Sequence, residues 1–265
     1  MKHSRNTLPA QSSWTVFPKL PTADAVDTGR LKGDAQPAVE KASLFSALPS
    51  NLPDIKSGSI RVSTLSFSNM SEHGDLLVRY MRARKEVFID KLNWDLPQAD
   101  GMEFDQYDTP QSRWIIVHEF GEILGGFRLL PTTAHCGIYS YMLRDGQLGV
   151  LEDFPRDVLF FEATVEKHMW EASRLFISNG LQANRRSYVQ YLIMRQMLIT
   201  SANVGARHVI GIVPSIWSRW LRRLGLYAVP VGRRFSIGRF SSQAALFSVA
   251  DQLDWAMHDF MEPPG

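Results

Sequence analysis

Cysteine is nearly missing from this chain: a single one, Cys136, stands among 265 residues. One thiol excludes an internal disulfide and is in keeping with the reducing cytoplasm, where the protein is placed by this reading. The seven histidines show no His-x-x-x-His spacing and no Cys-x-x-Cys occurs, so no metal is expected. Long apolar runs are absent as well. Nothing approaches the ~20 apolar residues of a membrane span, and the start, MKHSRNTLPAQSSW, is positive but lacks the apolar core of a signal peptide. Charge of one sign is lacking too: 29 Lys and Arg against 27 Asp and Glu leave a formal +2, which argues against nucleic acid as a partner. What remains, 45% hydrophobic and 21% charged, is a globular composition with ample material for a core.

The first stretch, 1–59, carries six prolines (Pro9, Pro18, Pro21, Pro37, Pro49 and Pro53) and no sustained periodicity, and reads as an irregular or flexible extension. A docking segment using Trp14 and Phe17 is the alternative. The folded part is expected over 60–265. A strand at 60–65 precedes a helix over about 75–92, announced by Ser71, Gly74 and Asp75. Pro97 and Gly101 break any period between 93 and 108, which predicts a wrapping loop. Strands follow at 114–119 and 122–130, joined at Gly121 and closed by Pro131. Residues 131–165 look mostly irregular, with small packing pieces at 139–143 and 148–151. A central strand over 168–177 leads to a helix over 187–203 stopped by Gly205, a strand over 207–213, and a helix opened by Pro214 and ended by Gly225. Strand signals at 227–231, 233–240 and 244–249 precede a last helix at 250–261. That order predicts an α/β sandwich around a mixed sheet.

One helix carries a charge where the core should be. Leu77, Tyr80, Met81, Val87 and Phe88 recur with helical period, and Arg84 falls inside their stripe. A buried guanidinium cannot shed its proton and has to be met by carboxylates. Asp105 and Asp108 are the nearest, Trp94 stands between, and a second Glu/Arg pair, Glu171 and Arg174, sits in the run EASR.

Arg84 and Phe88 four apart, Trp94, the E-x-D-x-x-D run of Glu103, Asp105 and Asp108, Arg128 within GGFRLLPTT, and Glu171 with Arg174 together resemble the motif set of the acyl-homoserine-lactone synthases, the LuxI-type autoinducer synthases of quorum sensing. The resemblance covers roughly residues 60–265. It implies the fold of the GCN5-related N-acetyltransferases, a three-layer α/β sandwich whose mixed central sheet has splayed strands. It also implies a reaction, in which the α-amine of S-adenosylmethionine (SAM) attacks an acyl thioester on acyl-carrier protein or CoA. The SAM carboxylate then displaces the sulfonium, closing a lactone and releasing methylthioadenosine. SAM is a substrate here, and no separate cofactor is implied.

Carried onto this sequence, the resemblance makes Glu171, Asp105 and Arg174 the catalytic candidates. It assigns SAM binding to Arg84, Phe88, Trp94, Asp105, Asp108, Arg128, Ser173 and Arg174, and the acyl-chain pocket to Leu175, Met194, Met197, Leu198, Ile212, Val213 and Trp217. Acyl-carrier protein is acidic, and Arg219, Arg222 and Arg223 suit its docking by charge.

The chemistry sets its own demands. An α-amine with a reference pKa of ~7.7–8.0 has to lose a proton before it attacks, and Glu171 or Asp105 would take it. Glu171 and Arg174, three apart on a strand, point to opposite faces unless the strand is distorted, and a distortion is expected near Ala172 or Ser173. Three rival readings stand beside this one, of which a catalytically dead relative acting as a binding module is disfavoured because every charged member of the pattern is retained. The charged residues also suit a purely structural ion network, and the fold also suits an acyl-CoA-dependent N-acyltransferase with another amine. The stretch SNGLQANRRSYV, however, lacks the glycine-spaced pyrophosphate loop of such enzymes.

Overall fold

The computed structural model describes residues 59–258 apart from 153, 215, 216, 238 and 239, so the expected extension lies outside the described residues except for Ser59. The strands are β1 (Ile60–Leu65), β2 (Gln98–Ala99), β3 (Met102–Glu103), β4 (Arg113–Glu119), β5 (Glu122–Pro131), β6 (Met169–Ile177), β7 (His208–Pro214), β8 (Val229–Pro230), β9 (Phe235–Ile237) and β10 (Phe240–Ser248). The helices are α1 (Leu76–Lys85), α2 (Met142–Gln147), α3 (Ala183–Asn203), α4 (Trp217–Arg223) and α5 (Ala250–His258).

Near-continuous apolar runs in β4 and β5 mark strands buried on both faces. They lie inside one mixed sheet of order β1-β4-β5-β6-β7-β10-β8, with β9 also on β10. Every pairing in it is antiparallel except β6 with β7, which α3 connects.

One face of the sheet carries α3, α4 and α5. Val189, Ile193, Met194, Met197 and Leu198 of α3, three or four apart, pack there with Trp217 and Trp220 of α4 and Ala256 of α5 against Ile115, Val117 and Phe127. The other face holds two separate clusters. Under α1 lie Tyr80, Met81, Val87, Phe88 and Trp94 with Trp114 and Phe176; around α2 lie Tyr141 and Leu143 with Leu130, Met169 and Ile210. The charged candidates lie against both clusters, Arg84 over the Tyr80 ring and Arg128 over that of Tyr107.

The sheet forks at its parallel pair. β6 and β7 are in register only from Met169 with His208 to Ala172 with Gly211, after which the β7 residues Ile212 to Pro214 pair with β10 alone. Gly211 sits at the fork because a Cβ there would come within 2.7 Å of the Ala172 carbonyl oxygen.

Several elements differ from the sequence reading in extent. The helix read over 75–92 is α1 followed by a π turn, Glu86–Lys91, closed by the Leu92 N–H donating to the Val87 carbonyl. The loop read over 93–108 contains the small β2–β3 hairpin. α3 begins four residues before the expected start, and the strands read at 227–231 and 233–240 shrink to β8 and β9. β8 is exposed and only Ile237 of β9 is buried, so these β-prone edge segments keep little ladder pairing.

Candidate active site

Arg84 at the end of α1 and Arg128 in β5 are fully buried, and the segment 103–108 supplies three carboxylates to meet them. Arg84 Nε donates to Glu103 at 2.5 Å, and its Nη1 and Nη2 donate to the two oxygens of Asp108 at 2.8 and 3.0 Å. Arg128 grips Asp105 with both terminal nitrogens, at 2.5 and 3.3 Å, and reaches Asp108 at 3.0 Å. Arg174 closes the circuit, 3.2 Å from Glu103 and 2.7 Å from Asp105. The signs alternate all the way round: Arg84, Glu103, Arg174, Asp105, Arg128, Asp108 and back. Each charge has two neighbours of opposite sign, and the ring is neutral.

Neutral groups take up further bonding capacity. The Trp114 indole N–H donates to Asp108 at 2.9 Å, and the Ser173 hydroxyl oxygen accepts from Arg128 Nε and Nη2 at 3.2 and 3.1 Å. Burial alone would push Asp108 and Glu103 up. The guanidiniums override it, Arg128 and Arg84 at Asp108, Arg174 and Arg84 at Glu103, and hold both carboxyls below their ordinary values. In the same way, burial would lower Arg84 and Arg128, and their carboxylates hold both above the ordinary guanidinium value.

Arg174 reaches the ring through a bulge. Arg128 faces Ser173 while Gly126 faces Phe176, so Arg174 and Leu175 together oppose the single residue Phe127, and Arg174 has φ +56°. A regular strand would send Arg174 to the α3 face. The extra residue returns it to the face of Ser173 and Glu171, at a cost of about 1–2 kcal/mol for the left-handed backbone. The expected distortion is present, one residue beyond Ser173. The Arg174 guanidinium lies 5.8 Å from the Phe88 ring and 6.0 Å from that of Trp94, and these two rings stack at 5.0 Å. The two rings that the resemblance assigns to SAM binding thus already face a cation.

Glu171 is equally buried but outside the ring. Its oxygens accept from the backbone N–H of Met142 at 3.0 Å and of Leu143 at 2.8 Å, the open first turn of α2, where Tyr141 supplies no side-chain cap. Burial pushes its pKa up to about 7, against the pull of those two hydrogen bonds and of Arg128. Asp105 differs in its bonding: Arg128 and the Tyr107 N–H on one oxygen, Arg128 and Arg174 on the other, fill its four acceptor positions.

Of the seven residues read as an acyl pocket, Met194, Met197, Leu198 and Trp217 are buried together on the α3 face with Leu175 and Val213 packed against them. Ile212 lies on the opposite face beside Ile210 and Tyr141, because successive strand residues alternate. Arg219, Arg222 and Arg223 are exposed on α4. Sequence reasoning gave no role to three groups that the structure brings in. Glu103 was visible in its acidic run. Trp114 and Asp145 carried no signal, an indole in an apolar strand and a lone aspartate in MLRDGQ. Among the described residues no group of His, Cys, Asp and Glu could hold a metal ion, and no helix is long and apolar enough to cross a membrane.

A mixed sheet forked at its parallel pair, with ionisable groups gathered beside the fork, is the GNAT-like acyltransferase architecture. The chain belongs to the autoinducer synthase family, whose model matches residues 68–256. An acyl-homoserine-lactone synthase of Ralstonia solanacearum is 32% identical over 161 residues, 58% of this chain and 73% of that protein. The isovaleryl-homoserine lactone synthase of Bradyrhizobium diazoefficiens is 23% identical over 204 residues, 77% of this chain and 86% of that protein. Among solved structures, TofI in a ternary complex with an inhibitor and MTA superposes with a TM-score of 0.59 at 28% identity, over 74% of this chain and 96% of that one. BjaI, a CoA-dependent acyl-homoserine lactone synthase solved with SAM and isopentyl-CoA, shares the fold with a TM-score of 0.62 at 22% identity, over 77% of this chain and 91% of that one.

Proposed function

We propose that this chain, an acyl-homoserine-lactone synthase by family, makes a quorum-sensing signal from SAM and an acyl thioester, with the charge ring as a fixed platform and Glu171 as the base. The observation that carries this is the pairing, beside the fork, of a neutral locked ring with a buried carboxylate that no cation binds directly. Each Glu171 oxygen keeps an acceptor position for the SAM amine or for a water between them. Asp105 has none left, which favours Glu171 over it.

The amine gives its proton to Glu171 and attacks the thioester carbonyl. The resulting oxyanion is met by backbone N–H groups of β6 beyond Ala172, where the ladder to β7 has ended. Collapse breaks the C–S bond, and the departing thiolate takes the second proton from the nitrogen, leaving an amide and a free thiol. The carboxylate of that amide, folded back in line, attacks the carbon bound to the sulfonium; the ring closes and methylthioadenosine leaves. In this reading Arg174, 8% exposed where Arg84 and Arg128 are wholly buried, offers its remaining N–H groups to SAM. Phe88 and Trp94 wall the site, and Arg84, Asp105, Asp108, Arg128 and Ser173 hold Arg174 in place. The acyl chain lies on the α3 face among Leu175, Met194, Met197, Leu198, Val213 and Trp217. No separate cofactor enters the chemistry, and in this reading the protein works in the cytoplasm.

Purified protein incubated with SAM and a panel of acyl donors on CoA and on acyl-carrier protein should yield methylthioadenosine and an acyl-homoserine lactone by mass spectrometry. Absence of both with every donor overturns the reading. Arg222→Glu with Arg223→Glu should weaken use of the carrier-bound donor about tenfold and make it salt-sensitive; unchanged kinetics would remove carrier docking from α4.

A further inference from the structure

Tyr107 and Asp145 belong neither to the ring nor to the acyl pocket, yet both are buried, and they meet: the Tyr107 hydroxyl donates to Asp145 at 2.9 Å. Asp145 turns back on its own segment, both of its oxygens accepting from the Ser140 N–H at 2.9 and 3.1 Å. That closes the turn leading into α2, the turn whose Met142 and Leu143 N–H groups bind Glu171. Tyr107 is anchored at its other end. Its backbone N–H donates to Asp105 at 2.9 Å, and its ring lies 5.6 Å under the Arg128 guanidinium. A continuous path therefore runs from the charge ring through Tyr107 and Asp145 to the backbone that holds Glu171.

We propose that Tyr107 and Asp145 are positioning residues for the base, fixing the entry of α2 so that Glu171 is held in register with the ring and kept able to exchange a proton. The proposal rests on the reading of Glu171 as base. A second buried carboxylate without a direct cation partner costs stability that an apolar residue would not, so its presence calls for a return elsewhere. The return is electrostatic. Glu171 faces Arg128 from β5, which favours its ionised form, Asp145 from α2, which opposes it, and Ile210 from β7, which is apolar. Tyr107 and Tyr141 are near enough for the Glu171 charge to bear on their own ionisation, and Arg144 on α2 acts on Asp145.

The test uses the full chain with SAM and its acyl donor, comparing Tyr107→Phe and Asp145→Asn with Glu171→Gln by steady-state kinetics across pH and by thermal melting. Tyr107→Phe keeps the backbone bond to Asp105, so kcat should fall about tenfold while KM for SAM moves less than about twofold. Asp145→Asn removes a negative neighbour of Glu171, which lowers the pKa of that carboxyl, so the acid limb of kcat should move down by roughly half to one pH unit. Variants that melt earlier but keep the parental kcat and pH profile would overturn the proposal and leave the pair merely structural. If Asp145→Asn fails to fold, the kcat against KM split of Tyr107→Phe decides alone. Glu171→Gln separates the two layers. An inactive Glu171→Gln beside unaltered Tyr107→Phe and Asp145→Asn removes only the positioning role, whereas an active one removes the base and this proposal with it.

Discussion

Two groups of carboxylates lie side by side in this protein, equally dry and oppositely tuned. Glu103 and Asp108 are held below the ordinary carboxylate range, while Glu171 and Asp145 are pushed above it. Burial acts on all four in the same upward direction. The difference is the guanidiniums, which contact both members of the first pair and neither member of the second. A buried ion pair fixes charge and position; Glu171, held only by N–H donors, stays able to take up a proton near neutrality. The ring thus suits holding, and the neighbouring pocket suits proton transfer.

The largest effects should come from breaking the ring. Arg84→Met leaves Glu103 and Asp108 each short of a cation in a dry site, and should cost about 3–5 kcal/mol of unfolding free energy in urea titrations. Arg128→Met should cost a similar amount. A loss under about 1 kcal/mol would show that water compensates these charges, and the contrast between the two regions would shrink accordingly.

The next effect is a pH dependence of opposite sign in the two regions. Glu103 and Asp108 have depressed folded values, so the stability they contribute is present above the unfolded carboxylate pKa and is lost as pH falls through the folded ones. Glu171 is raised from 4.5 to about 7. The folded state therefore binds the extra proton between those values, and the parent protein should lose stability as pH rises from about 4.5 to 7, by on the order of 3 kcal/mol. Glu171→Gln should lack this decline. Denaturation series for both proteins at several pH values check it, and a parent-minus-variant difference that is flat across the interval would place Glu171 in a wetter setting.

The ring was partly legible in the sequence because an arginine inside an apolar helical stripe demands acidic partners, and Asp105 and Asp108 were close enough to nominate. The bulge was legible from function: Glu171 and Arg174 had to share a face although strand geometry separates them. Order of elements followed from apolar period and Gly/Pro stops, which is why β4, β5, β6 and α3 fall near their expected places. Asp145 was not legible, because its part depends on meeting Tyr107 across 38 positions of sequence, a contact that only the packed sheet creates. The faces of the acyl-pocket residues were legible only in part, since Ile212 next to Val213 has to point the other way.

The smallest effects should come from neutral groups, and they sharpen the contrast because they separate charge from hydrogen bonding. Ser173→Ala deprives Arg128 of an acceptor for Nε while leaving its contacts to Asp105 and Asp108 in place. The expected loss is about 1–2 kcal/mol, well short of the loss from removing a guanidinium. Ser173 also lies between Glu171 and the Arg174 bulge, so a reading in which the ring only holds Arg174 requires KM for SAM to rise more than kcat falls in this variant. Should kcat fall instead with KM constant, Ser173 would belong with Glu171 on the proton-transfer side, and the boundary between the two regions would run through Arg128 rather than beside it.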